Sequence, residues 1–188
     1  MSDGQPLRLH RILRTAQATE ADFLSKAHLG IPCPVSDPEV QRRWGGLSMF
    51  GSEEQARRVS RRLPMLGSHV AALEIPPGAG AQAEPTTGPG HYTLGGDPGS
   101  GTALAGKGAV DMPDTSLMYE VWELATCSLV AAYPNELQAL DLVGQLLNDG
   151  WSPDDLVLAG ENEAIDVPDL PPPLTGAALT NRVAEATG

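Results

Sequence analysis

Four histidines, two cysteines, one arginine-rich helix and one glycine-rich stretch hold the chemistry this chain could do. The stretch Gly101-Thr102-Ala103-Leu104-Ala105-Gly106-Lys107-Gly108 has the spacing of a phosphate-cradling loop as far as its lysine. Such a loop needs a Ser or Thr next to hold magnesium, and a helix whose N-terminus faces the phosphates. Gly108 stands in the first place, and Val110-Asp111-Met112-Pro113-Asp114 cannot open the second, so the stretch reads as a glycine-rich linker. His10, His28, His69 and His91 follow no metal-ligand spacing, and no metal is expected. Cys33 and Cys127 are too isolated for a zinc site or a disulfide framework, and neither has the local signature of a nucleophile. Arg57, Arg58, Arg61 and Arg62 repeat at helical spacing and form the residues expected to bind a partner.

The elements that would position these groups read as α+β. Leu7 to Leu13 alternates as a strand, with Leu9, Arg11 and Leu13 on one face and His10 and Ile12 on the other. Thr19 is a plausible cap for a helix reaching about Leu29 and stopping at Gly30, after which Pro32, Pro34 and Pro38 make a loop. Trp44 to Phe50 reads as a strand, and Ser52 with Gln55 starts a helix from Glu53 to Leu63, closed by Pro64. Strands at Val70 to Ile75 and His91 to Leu94 complete a mixed β-α-β-α-β-β domain over residues 1–95. Residues 96–115 read as a linker.

Residues 116–160 follow as a ββαβ module. Leu117 to Leu124 and Ser128 to Tyr133 form a hairpin, Asn135 caps a helix from Glu136 to about Asn148, and Leu156 to Leu158 is the last strand. The helix stripe is expected at Leu137, Leu140, Val143 and Leu147. A module of this size has a marginal core, so it must pack on the first domain, on a partner or on its own copy. Residues 161–188 form a proline-rich tail with a short helix from Gly176 to Ala186.

Charge divides the chain elsewhere. Residues 1–75 hold ten Lys and Arg against eight Asp and Glu, a net of +2. Residues 76–188 hold two against sixteen, a net of −14. The acidic part therefore meets solvent, or a basic surface on a partner or on this chain's own N-terminal half. Nucleic acid is a disfavoured partner, since phosphate affinity rests on Lys and Arg. No apolar run reaches the length of a membrane span and Met1 to Leu7 is polar, so the expected compartment is the cytoplasm.

One combination goes further. His10-Arg11 on the first strand, Gly46-Leu47-Ser48-Met49-Phe50 on the second, the helix opening Ser52-Glu53-Glu54-Gln55-Ala56, and the third strand Val70 to Ile75 resemble the start of ADP-ribosyltransferase-like folds, including RES-type toxins and tRNA 2′-phosphotransferases. The likeness covers residues 7–95. It implies an NAD pocket in which Arg11 or His10 contacts the cofactor, Ser48 sits beside it, Tyr92 stacks on the nicotinamide and His91 lies nearby. The chain lacks a clear counterpart of the family's catalytic glutamate, for which Glu74 and Glu120 are the candidates. Residues 117–160 resemble small uncharacterised bacterial ββαβ modules, which imply no activity. Two functional readings follow. In the first the chain is a non-catalytic interaction protein or accessory subunit without a cofactor, associating with a protein partner or with itself. The alternative is an NAD-using enzyme or toxin.

Overall fold

A computed structural model describes residues 6–33, 35–86, 90–95, 117–162, 164–165 and 167–187. The expected linker over 96–115, with its glycine-rich stretch, lies outside the described residues. The chain is α+β. Its first sheet holds β1 (Leu7–Leu13), β2 (Leu47–Phe50), β3 (His69–Ile75), β4 (Gln82–Pro85) and β5 (His91–Gly95), in the order β3-β1-β2-β5-β4 with every neighbour antiparallel. The second holds β6 (Met118–Glu123), β7 (Ser128–Tyr133) and β8 (Leu156–Glu161), in the order β7-β6-β8, also antiparallel. Four α-helices accompany them among the described residues: α1 (Pro38–Trp44), α2 (Glu53–Arg62), α3 (Glu136–Asn148) and α4 (Gly176–Thr187).

The strong local signals form as expected. Ser52 caps α2 by accepting the Gln55 N–H, and Asn135 caps α3 by accepting the Leu137 N–H. Ser52→Ala should therefore cost about 1 kcal/mol in urea denaturation, the usual value of one lost cap.

The segment from Thr19 to Phe50 departs from expectation. In place of a helix to Leu29 there is one 3-10 turn, Glu20–Phe23. Asp22 accepts from both the N–H and the hydroxyl of Thr19, the capping closure of a helix start, but the turn goes no further than Phe23. Beyond it Ser25 and Lys26 turn inward and are buried. The proline loop contains α1, because Pro38 starts the helix and Asp37 accepts the Val40 N–H. Trp44 consequently ends a helix, and β2 begins only at Leu47. The sequence gives no strand signal over β4, and its pairing with β5 makes it a strand despite its composition.

Of three apolar clusters among the described residues, one joins the two sheets and one joins the second sheet to α1 and the loop before it. Ile12, Phe50, Ala56, Leu63 and Leu66 pack with Met118, Trp122, Leu129, Ala132, Val157 and Ala159. Val35, Val40 and Trp44 join Val121, Val130, Leu140, Val143, Leu158 and Leu179. The third cluster, with Leu9, Leu47, Met49, Ile75 and Leu94, belongs to the first sheet alone. The small module thus finds its packing surface on the N-terminal part. Its α3 stripe is rotated from expectation. Ala139, Leu142 and Leu146 are buried with Leu140 and Val143, Leu147 is half-buried, and Leu137 is 58% exposed. α3 meets α4 as well as the sheet, and the second contact turns it.

The tail is held by the chain itself. Leu174 exchanges two backbone hydrogen bonds with Leu158, at 2.9 and 2.8 Å, extending the sheet beyond β8. Leu179 is fully buried, and Arg182 forks onto Glu136 with contacts of 3.1 and 2.7 Å. Among the described residues no helix is long and apolar enough to cross a membrane.

Candidate functional site

The polar residues singled out by sequence cluster where the two sheets meet. In the register, His10 faces Phe50 and Phe50 faces His91, so these three form a row across β1, β2 and β5. Ser48 shares that face, two residues along β2. Arg11, and Tyr92 opposite Met49, alternate to the other face. The structure therefore brings His10, Ser48 and His91 together and sends Tyr92 to the cluster around Leu9 and Met49.

Arg11, Ser48 and His91 are engaged by the fold. Arg11 is 3% exposed, and its guanidinium donates to three carbonyls: Asp22 at 2.5 Å, Ser48 at 2.8 Å and Thr126 at 2.7 Å. Burial pushes its pKa down, opposed by Cys127 and Asp22. The Ser48 hydroxyl accepts the Leu129 N–H at 2.8 Å, tying β2 to β7. His91 is buried, bonds the Thr86 hydroxyl through Nδ1, and presents its ring edge-on to Phe50 at 5.2 Å and Trp122 at 5.6 Å. Its Nε2, like His10 Nδ1, has no hydrogen-bond partner among the described residues. Burial, reinforced by Arg43 and Arg11, pulls the His91 pKa to about 3, so the ring is neutral.

Sequence reading missed the groups that answer these. Glu120, raised there only as a counterpart of the family's glutamate, lies in the seam and takes the Trp122 indole N–H at 2.9 Å. Burial first, and Glu161 second, push its pKa up to about 7. Lys26 lies under Trp44, its Nζ 4.3 Å from the ring centre and 3.6 Å from Glu123. Burial pulls its pKa to about 8, against the attraction of Glu123. Glu123 also accepts the Ala125 N–H at 2.5 Å, and the Thr126 N–H at 3.0 Å, which closes the β6–β7 turn. The sequence held one clue, carboxylates alternating with Trp122 on a strand whose neighbours are apolar.

The arginine face divides. Arg57 pairs with Glu53 on its own helix, and Arg61 is exposed. Arg58 reaches Glu161 at 3.1 Å and the Asn162 and Ile165 carbonyls, both at 2.8 Å. Arg62, expected among the partner-binding residues, is buried and donates to the carbonyls of Gly160 and Pro171. These two arginines meet the chain's own acidic half. Cys33 and Cys127 are free thiols, and burial pushes that of Cys127 up, away from nucleophilic activation. No group of three or more His, Cys, Asp or Glu among the described residues could hold a metal ion.

Comparison with protein families, with curated proteins and with solved structures finds no match to this chain. What bears on function is the geometry of the seam. Its arginine, serine, lysine and carboxylates fix one sheet to the other, and their hydrogen-bonding capacity is largely spent within the chain.

Proposed function

We propose that this chain is a non-catalytic interaction protein or accessory subunit. One observation carries the reading: Arg11, the residue that an NAD pocket would need, spends its guanidinium on carbonyls from three separate segments. A cofactor phosphate would have to displace these bonds around a buried guanidinium, leaving the carbonyls without donors. Ser48, engaged by Leu129, and Tyr92, directed to the opposite face from His91, support the same reading. The charge pattern adds to it. Basic side chains are paired within the chain, in Arg42–Glu84, Arg58–Glu161 and Lys26–Glu123, while the whole carries −12. That balance suits protein contacts and disfavours phosphate backbones.

A thermal-shift titration with NAD discriminates between the two readings. A ligand at 100 times its Kd adds about 2.7 kcal/mol, which in a chain of this size raises Tm by roughly 5–10 °C. The expected result at millimolar NAD is no change. A rise of that size, lost in Ser48→Ala, would overturn the proposal in favour of an NAD-using protein.

A further inference from the structure

A sheet edge is a row of unpaired backbone donors and acceptors, and proteins guard such edges against unwanted pairing. Among the described residues, three of the four sheet edges carry guards. β4 has only four residues and ends in Pro85, which has no N–H to offer. On β7 the Leu129 N–H is taken by Ser48 and the pairing with β6 is bulged. β8 is already extended by Leu174.

β3 is the exception. Its seven residues, His69-Val70-Ala71-Ala72-Leu73-Glu74-Ile75, pair with β1 in unbroken register and form the other edge of the five-stranded sheet. The strand has no proline, no lysine or arginine, no bulge and one carboxylate. Its middle residue, Ala72, is exposed, and Ala71 beside it is equally small, so another backbone can approach closely.

We propose that β3 pairs antiparallel with β3 of a second copy of this chain, joining two five-stranded sheets into one. With the two-fold axis at Ala72, Ala71 faces Leu73 of the second copy, Val70 faces Glu74, and His69 faces Ile75. An isologous contact needs this kind of self-complementarity. Like charges are never set opposite each other, and the row of Ala71, Leu73 and Ile75 continues the apolar face already packed around Leu9. Charge also selects this edge. β3 lies in the part of the chain with net +2, so a copy docking there brings together the surfaces least affected by the −14 of residues 76–188. This surface rests on the interaction reading and names its partner.

Light scattering on the full chain across the micromolar range tests it, alongside Ala72→Lys and two cysteine variants. The wild type should pass from monomer to dimer with concentration. Ala72→Lys puts two ammonium groups opposite each other at the axis and should weaken dimerisation about tenfold or more. Mild oxidation should cross-link Ala72→Cys, whose paired Cα atoms would lie about 4.5–5.5 Å apart, within disulfide reach. Glu74→Cys should stay uncrosslinked, because its two copies would lie about 13 Å apart along the strands. The wild type controls for Cys33 and Cys127. A monomer at every concentration overturns the proposal, and so does a dimer that Ala72→Lys leaves intact or that Glu74→Cys cross-links equally well. If Ala72→Lys loses its circular-dichroism signature, the pair of cysteine variants decides. Failure here leaves the NAD titration unaffected, so this surface and the broader reading fail separately.

Discussion

Glu120→Gln should stabilise the protein by about 3 kcal/mol at pH 8 and leave it unchanged near pH 4, as read from urea midpoints across that range. The folded chain holds the Glu120 proton up to about pH 7, whereas an unfolded glutamate releases it near 4.5. Between these values the folded state binds more protons, so this group's contribution is full below pH 4.5 and is lost as pH rises to 7. Glutamine keeps an acceptor for the Trp122 indole and has no charge to bury. Glu161 raises the Glu120 pKa, and Trp122, Arg43 and Arg62 oppose it more weakly than burial favours it.

His91 works in the opposite sense. Its folded pKa of about 3 lies below the ordinary 6.5, so its contribution is full above pH 6.5 and is lost as pH falls toward 3. Between pH 4.5 and 6.5 the two effects oppose each other, and the wild type should show a plateau there. Removing Glu120 should expose the His91 slope, a loss of about 1.4 kcal/mol per pH unit below 6.5. Equal stabilisation of Glu120→Gln at all pH values would show that Glu120 titrates in the seam as it does in the unfolded chain.

Arg11→Met should lose about 3–5 kcal/mol, because the carbonyls of Asp22, Ser48 and Thr126 all lose a donor in a dry setting. That is a large share of the roughly 5–15 kcal/mol that holds a domain together. Arg11→Lys should recover only part, since one ammonium cannot reproduce a planar fork aimed at three segments. Full recovery by lysine in urea denaturation would remove Arg11 as the three-way tie and weaken the proposed function with it.

What was legible in the sequence depended on how local the signal was. Ser52 with Gln55, and Asn135 before an apolar stripe, announce α2 and α3 because a cap and its helix are neighbours. β1 and β3 alternate clearly. The helix expected from Thr19 fails because Lys26 is drawn to Glu123, nearly a hundred positions away, and no local pattern records that attraction. α1 is hidden by prolines that usually signal loops. Arg62 looks solvated on a helical wheel, and only the carbonyls of Gly160 and Pro171 explain its burial. His10, Arg11, Ser48 and His91 are polar residues on strands. Nothing on their own strands could show that the opposing surface is another sheet of the same chain.

The clasp made by Arg58 and Arg62 sets a schedule for synthesis. Arg58 waits for the Ile165 carbonyl, 107 positions later, and Arg62 for that of Pro171, 109 positions later. At roughly 5–20 residues per second, the ribosome needs on the order of ten seconds to supply them. During that interval the first sheet is made but its seam is open, with the faces of Ile12 and Phe50 uncovered. The nascent N-terminal part thus keeps an apolar face uncovered until the last strand and the segment after it arrive.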